Sequence, residues 1–329
     1  MYVQILSTFA AMKISILCQK DQAGSGMMFV RALRDGGHEA NLFVRMAHQY
    51  GYEYDFLYDG PKSERKKVAK THILNSDILH FKGDHMPFTG AFKILRDMHP
   101  PPSVVTFGGS GFRRRSPDLP PETCQHWYPV GRYRAITKAM SAITPDLMYA
   151  PDIMLTPHAH PEVKPTYIHR KVPIIGHSPS NREKKGTNNL FLPALDILRS
   201  RGVKFDTMVI EGATNAECIE RKSQCSVFFD QGVLSAYGMS AVEAMMRGIP
   251  VVTRMSDEVK EKDPAFAGSP LLLFDERSPE VLADKLQEAV ESNLQDLSRR
   301  TYEWAMSMHS YAPVTSRLME LYRRAYEPL

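Results

Sequence analysis

The stretch Tyr237-Gly238-Met239-Ser240-Ala241-Val242-Glu243-Ala244-Met245-Met246-Arg247-Gly248-Ile249-Pro250-Val251-Val252 reads as a helix, a glycine stop and a buried strand in quick succession. The spacing predicts a helix over Ser240–Arg247, with Met239, Val242 and Met246 on one face and Glu243 near it. Gly248 ends it, because glycine accepts the left-handed conformation a helix C-terminus asks for. Val251-Val252-Thr253 is then a short apolar run, the pattern of a parallel strand covered on both faces.

Working outward, the same alternation repeats. Strands are expected at Val172–Gly176, Thr207–Ile210, Ser226–Phe229 and Leu271–Phe274. Helices are expected at Leu190–Arg201, Ala213–Ser223, Pro279–Asn293, Leu294–His309 and Pro313–Tyr326. The first half carries its own series: strands Ile14–Cys18, Ala40–Val44, Asp77–Phe81 and Val104–Phe107, and helices Met27–Arg34, Phe92–Met98 and Arg132–Ala142. Pro117–Pro121 marks an irregular loop, and the prolines between Pro145 and Pro173 mark a linker. Two successive α/β series predict two doubly wound, Rossmann-like domains facing a cleft, with right-handed crossovers.

Length and composition agree. A chain of 329 residues, 43% hydrophobic and 24% charged, suits two globular domains and argues against a largely disordered chain. Apolar runs such as Ile249–Thr253 fall far short of the roughly 20 residues a membrane span needs. Met1–Met12 has no charged residue and lacks the basic start of a secretory signal. The expected division is an extension over 1–11, a first domain over 12–165, a second over 166–309, and a C-terminal helix over 310–329 that packs back on the first. Cys18, Cys124, Cys218 and Cys225 form no CxxC pair and no zinc spacing, which fits reduced thiols in a cytoplasmic protein. Residues 1–165 hold 20 Lys and Arg against 15 Asp and Glu, and residues 166–329 hold 21 against 22. The first half is the basic one, a balance that permits an anionic partner without demanding one.

Three segments offer chemistry. Gly24-Ser25-Gly26 sits at a strand-to-helix turn, where glycines let backbone amides approach an anion; a tight turn explains it equally. A dinucleotide fingerprint would want a third glycine where Phe29 stands, so the signal is weak. Gly176-His177-Ser178-Pro179-Ser180-Asn181-Arg182-Glu183-Lys184-Lys185-Gly186-Thr187 places Arg182, Lys184 and Lys185 beside a helix start, which is a diphosphate site or a solvated basic loop. Glu243, one turn into its helix, is either a hydrogen-bond acceptor for ribose hydroxyls or an exposed helix glutamate.

Aromatic-Gly, then Val-Glu-Ala-Met, then Gly-x-Pro-Val-Val in Tyr237–Val252 resembles the donor-site signature of retaining GT-B glycosyltransferases of the family-four type. The loop ending Lys185-Gly186 resembles that family's phosphate loop, and Ile14–Leu33 with Gly37-His38-Glu39-Ala40 resembles its N-terminal opening. His309-Ser310-Tyr311 running into Leu318 and Tyr322 resembles its C-terminal run, so the resemblance covers most of the chain from Met12. It implies a GT-B fold and transfer of a sugar from a nucleoside-diphosphate sugar to a hydroxyl acceptor, with retention of configuration. The nucleotide sugar is then a co-substrate and no cofactor is required.

The resemblance also implies roles. Glu243 binds the ribose; Arg182 and Lys185 neutralise the diphosphate leaving group. Gly238, Met239 and Ser240 open the helix at the phosphates, and Gly24 and Gly26 let the first domain approach the donor. Two departures stand out. The family's glutamate at the sugar falls at Ser235, with Asp230 or Gln231 as nearby substitutes, and the family's acceptor-side His-Gly pair is Gly108-Gly109. His80 and His85 lie nearby in chain order. No Asp-x-Asp motif occurs, in keeping with a metal-independent site built on Arg and Lys.

The acceptor side is read from Gly109, Arg113, Arg114 and Arg115, and from a second basic cluster of Lys62, Arg65, Lys66, Lys67 and Lys70. Both are solvated faces or contacts to an anionic acceptor: a lipid-linked glycan, a sugar phosphate or nucleic acid. Two alternatives accompany the main reading. One is a DNA-modifying enzyme that glycosylates a hydroxylated base. The other is a nucleotide-sugar-binding protein impaired in catalysis, suggested by Ser235.

Overall fold

The structure is a computed structural model and describes residues 10–83, 90–108, 125–130, 158–167, 170–234, 237–255, 257, 260, 266 and 268–326. Gly109, Arg113–Arg115, Ser235, the loop Pro117–Pro121 and the expected helix Arg132–Ala142 lie outside the described residues. The chain forms two compact α/β units. The first takes in the described residues up to Gly108, the strand at 125–130, residues 158–161 and the chain from Ser310 onward; the second runs from Glu162 to His309.

The first unit holds a six-stranded sheet in the order β3-β2-β1-β4-β5-β6. Its strands are β1 (Lys13–Cys18), β2 (Glu39–Val44), β3 (Phe56–Leu57), β4 (Ile78–Gly83), β5 (Ser103–Gly108) and β6 (Gln125–Val130). All neighbours are parallel except β6, which runs antiparallel to β5. Five successive residues of β1 are buried, as expected of a strand covered on both faces. The two-residue period sorts them: Ile14 and Ile16 pack towards Phe29, Leu33, Leu318 and Tyr322, whereas Leu17 packs with Phe43, Phe81 and Phe92.

Helix α1 (Ser25–Asp35) follows β1 and buries Phe29, Val30 and Leu33. Helix α2 (Lys62–Val68) carries four of the five residues of the second basic cluster and buries no residue. Without an apolar stripe it leaves only a charge run in the sequence, which is why it goes unseen there. Strand β6 is missed for a related reason: Gln125-His126-Trp127-Tyr128-Pro129-Val130 contains a proline, which strands tolerate at an edge, and β6 is an edge strand.

The second unit holds a five-stranded parallel sheet, order β11-β10-β9-β7-β8. Its strands are β7 (Ile174–His177), β8 (Asp206–Val209), β9 (Val227–Phe229), β10 (Val251–Arg254) and β11 (Leu272–Phe274). Its helices are α3 (Arg182–Lys185), α4 (Leu192–Ser200), α5 (Asn215–Lys222), α6 (Met239–Met245), α7 (Pro279–Glu291) and α8 (Leu294–His309). Alternation again divides the strands: Ile175, Val227, Phe229 and Val252 face Phe191, Leu195 and Leu286, while Ile174, Phe228 and Val251 face Val242, Met245 and Met246. Helix α6 differs from the amphipathic expectation, since Met239 and every residue from Ala241 to Met245 are buried, Glu243 included.

Helix α9 (Tyr311–Arg324) closes the first unit. Thr315 donates to the Ala32 carbonyl at 2.7 Å, and a Cβ on Gly36 would stand 2.7 Å from the Thr315 methyl, so the two helices cross where glycine permits a close approach. The Tyr322 hydroxyl and His80 Nδ1 are 3.0 Å apart, and His80 Nε2 meets Thr106 at 2.7 Å. His80 is fully buried with its pKa pushed down to about 3 by burial, so it is a neutral core group and not a general base. No helix among the described residues is long and apolar enough to cross a membrane.

Candidate functional site

In an open parallel sheet the strand order reverses at one point, and the loops leaving the strand ends on either side splay apart there. That crevice is where α/β proteins hold ligands. In the second unit the reversal lies between β7 and β9, which pair in parallel with His177 opposite Phe229. The loops leaving these two strands carry the basic segment and the Gly238 segment, so the topology brings together two stretches that lie far apart in the chain.

Asn181 caps the short helix α3 by accepting the Lys184 amide at 2.9 Å, and Gly186 ends it in the left-handed region with φ of 77°. A Cβ there would lie 3.0 Å from Leu190 Cδ1, so conformation and space both favour glycine. The turn sends Lys185 back towards β9. Its ammonium donates to Asp230 Oδ1 at 2.9 Å, while the Gly238 amide donates to Oδ2 at 2.8 Å. The open side of Gly238 faces the same ammonium, with Lys185 Nζ 3.6 Å from where a Cβ would be.

Asp230 therefore joins the two loops from beneath. Its side chain is 0% exposed and that of Lys185 is 16% exposed, so the lysine is the more accessible member of the pair. Asp230, expected as a substitute for the missing glutamate at the sugar, is buried behind the lysine. It supports the lysine and does not face outward.

His177, at the end of β7, is also buried. Its Nδ1 lies 2.9 Å from the Phe229 carbonyl and its Nε2 2.8 Å from the Thr187 hydroxyl. Burial pulls its pKa down to about 4, against a smaller opposing effect of the hydrogen bond to Phe229. It is a neutral strut between the strand end and the turn after α3.

Arg182 is paired with other side chains. Its guanidinium makes two bonds to Glu211, at 2.9 and 2.6 Å, and a third to Asn188 at 3.1 Å. The Glu211 bonds raise the arginine pKa and lower that of the glutamate. Arg182 is thus committed to the β8 side, and Lys185 alone of the two expected cations points to Asp230.

Glu243 sits on the second turn of α6, its side chain 10% exposed. Lys222 donates to its Oε2 at 2.6 Å and Asn215 Nδ2 to its Oε1 at 3.2 Å. Ser240, one turn earlier, accepts from Lys222 and bonds the Ser178 hydroxyl at 2.7 Å, which ties α6 to the loop after β7. Met239 and Ser240 form the first turn of α6, whose flanking Gly238 makes no side-chain cap. Lys222, Asn215, Ser178 and Glu211 escape sequence reading because nothing in local pattern says which distant carboxylate a lysine will meet.

The first unit has the corresponding reversal between β1 and β4. Ala23 and Gly24 adopt φ of 57° and 65°, and a Cβ on Gly24 would come within 2.9 Å of the Tyr52 ring. The amides of Gly26 and Met27 donate to Asp21, at 2.7 and 3.1 Å. Lys82 donates to the Ser25 hydroxyl at 2.5 Å. Gly24 and Gly26 therefore make a tight turn whose helix start is already served by the chain's own carboxylate.

No protein-family profile matches the chain, and no curated protein matches it by sequence. Solved structures do resemble it. Sucrose-phosphate synthase from Thermosynechococcus elongatus has a TM-score of 0.58 at 12% identity, over 95% of this chain and 99% of that one. The HepE protein of Anabaena in complex with UDP-glucose has a TM-score of 0.56 at 13% identity, over 95% and 100%. A glycosyltransferase from Rickettsia africae has a TM-score of 0.53 at 10% identity, over 97% and 100%. At such identities the likeness is one of fold, and the fold is GT-B: two Rossmann-like α/β units in one chain.

Proposed function

We propose that this chain is a glycosyltransferase that takes a sugar from a nucleoside-diphosphate sugar and passes it, with retention of configuration and without a metal ion, to a hydroxyl acceptor. The observation that carries the proposal is the meeting of Lys185, Asp230 and Gly238 at the β7/β9 reversal, with Glu243 one helical turn further on. In this reading Glu243 accepts the ribose hydroxyls. Lys185 and the first-turn amides of Met239 and Ser240 receive the diphosphate.

Departure of the diphosphate builds negative charge on its terminal oxygen as the glycosidic bond breaks. A fixed cation and fixed amides stabilise that charge more in the transition state than in the ground state. Asp230 holds the lysine in place before substrate arrives, so little reorganisation is needed. The leaving phosphate itself takes the acceptor proton, and no residue is assigned as general base. Arg182 joins only if it exchanges Glu211 for the diphosphate.

The GT-B likeness and the co-crystallised UDP-glucose of the HepE protein support a nucleotide sugar as donor. A DNA base or another polyanionic acceptor rests on Arg113–Arg115 and remains a second proposal about the acceptor alone. The test is a panel of UDP-, GDP- and ADP-sugars assayed for binding, hydrolysis and transfer, with and without chelator. Turnover that survives chelation supports the reading. Activity abolished by chelator and restored by magnesium contradicts metal independence, and binding without turnover across donors and acceptors favours the impaired binding protein.

A further inference from the structure

Lys222 is the last residue of α5 and has no exposed surface, which is rare for a lysine. Its ammonium has three protons and three acceptors: Glu243 Oε2 at 2.6 Å, Ser240 Oγ at 2.8 Å and the Ser240 carbonyl at 3.1 Å. It also lies over the Phe228 ring, 5.0 Å from its centre. A charge so far from water persists only when it is paired and fully hydrogen-bonded, and its loss leaves its partner as an uncompensated buried charge.

We propose that Lys222 is the positioning residue of the nucleotide site: it keeps the Glu243 carboxylate ionised and aimed, so that Glu243 presents acceptor oxygens to a ribose. The proposal rests on the assignment of Glu243 to the ribose. Both ends of the carboxylate are held from α5, Oε2 by Lys222 and Oε1 by Asn215, which fixes its plane. The remaining contacts of Lys222 fix Ser240, and through it Ser178 in the loop after β7. A single buried cation therefore sets the ribose residue and the start of the phosphate-side helix together. The charged groups facing Glu243 include Arg247, which lies one turn on, bonds the Glu243 backbone carbonyl at 2.8 Å and feels its charge. That guanidinium is bound to the backbone, so it does not replace the ammonium at the carboxylate.

Without the ammonium, burial favours the protonated carboxyl, and protonation turns one acceptor oxygen into a donor. The test is calorimetric titration of whichever of UDP, GDP and ADP binds the parent protein most tightly, at pH 8 and pH 6. Lys222→Met, Glu243→Gln and the double variant are compared with the parent. Lys222→Met is expected to weaken binding about threefold at pH 8 and at least about tenfold at pH 6, the gap widening as the carboxyl takes up its proton. A purely structural role lowers the melting temperature but leaves the ratio of variant to parent affinity the same at both pH values, and that result overturns the proposal.

Should Lys222→Met fail to fold, the double variant removes both charges and decides the matter. If Lys222 acts through Glu243, the double variant binds as weakly as Glu243→Gln alone; parental affinity, or affinity weaker still, overturns it. Parental affinity in Glu243→Gln alone, or no binding of any of the three diphosphates, removes the nucleotide reading itself. A weakened Glu243→Gln beside an unchanged Lys222→Met removes only the role of Lys222.

Discussion

The two units place a helix, a lysine and an aspartate at the point where their strand order reverses, and they use the three groups differently. In the first, Asp21 turns inward onto the amides of Gly26 and Met27, and Lys82 bonds the Ser25 hydroxyl. Burial raises the Asp21 pKa against the opposing charge of Lys82 and those two amide bonds. In the second, Asp230 takes one amide, from Gly238, and spends its other oxygen on Lys185. One aspartate closes its own helix; the other orients a cation beside the helix start at Gly238. The same architecture thus closes a turn in one unit and, in the proposed function, receives a diphosphate in the other.

Removing the second aspartate should have the largest effect. Asp230→Ala leaves the mostly buried ammonium of Lys185 and the Gly238 amide without their shared partner. Breaking such a pair costs about 3–5 kcal/mol. The urea midpoint should fall accordingly, and nucleotide binding should be lost with it. Asp21→Ala removes amide caps only, and should cost about 1–2 kcal/mol with nucleotide affinity retained. Equal effects of the two on nucleotide binding would erase the contrast between the units.

Acid sharpens the comparison next. His80 and His177 are each neutral in the folded state, with pKa values near 3 and 4. Both lie below the unfolded value of about 6.5, so the unfolded chain binds protons that the folded chain refuses. Stability is complete above about pH 6.5 and falls as pH drops towards 4, by about 2 kcal/mol per histidine at pH 5. Urea midpoints at pH 7 and pH 5 measure it. His177→Gln should blunt the fall for transitions reporting on the second unit, and His80→Gln for those reporting on the first; a pH-independent midpoint would contradict both assignments.

The glycines give a smaller effect. Gly24→Ala and Gly186→Ala each put a side chain at a left-handed φ, with a neighbour at 2.9 or 3.0 Å, and each should cost about 1–2 kcal/mol. Only Gly186→Ala, beside Lys185, should also weaken nucleotide binding. Smallest of all, Arg182→Ala breaks an exposed pair with Glu211 and should leave the melting temperature unchanged. Its effect on nucleotide affinity should fall well below that of Lys185→Ala. An equal or larger effect would show that the arginine leaves Glu211 for the ligand.

How much of this was legible in the sequence follows from what local pattern encodes. Runs such as Ile174–His177 and Val227–Phe229 are apolar because both faces of a parallel strand are covered, and glycines at 186 and 248 mark chain reversals that only they make cheaply. Strand order joins residues far apart in the chain, the partnerships of Lys185 with Asp230 and of Lys222 with Glu243 join residues 45 and 21 positions apart, and no periodicity carries them. Resemblance pointed to Lys185, Gly238 and Glu243, which the fold gathers near one strand reversal. The pairing of Arg182 with Glu211 and the burial of Asp230 likewise leave no local signal in the sequence. Helix α2 was hidden because a helix that buries nothing has no stripe to read.

In the proposed function a nucleoside diphosphate binds at the β7/β9 reversal. Calorimetric titration of the parent protein, Lys185→Ala and Glu243→Gln with UDP, GDP and ADP tests it most directly. The parent is expected to bind one of them saturably. Affinity is expected to be lower by roughly tenfold or more in each variant, since a charge-assisted hydrogen bond to a ligand is worth about 1.5–3 kcal/mol. Parental affinity in both folded variants, with binding intact, would place the nucleotide elsewhere and contradict the account.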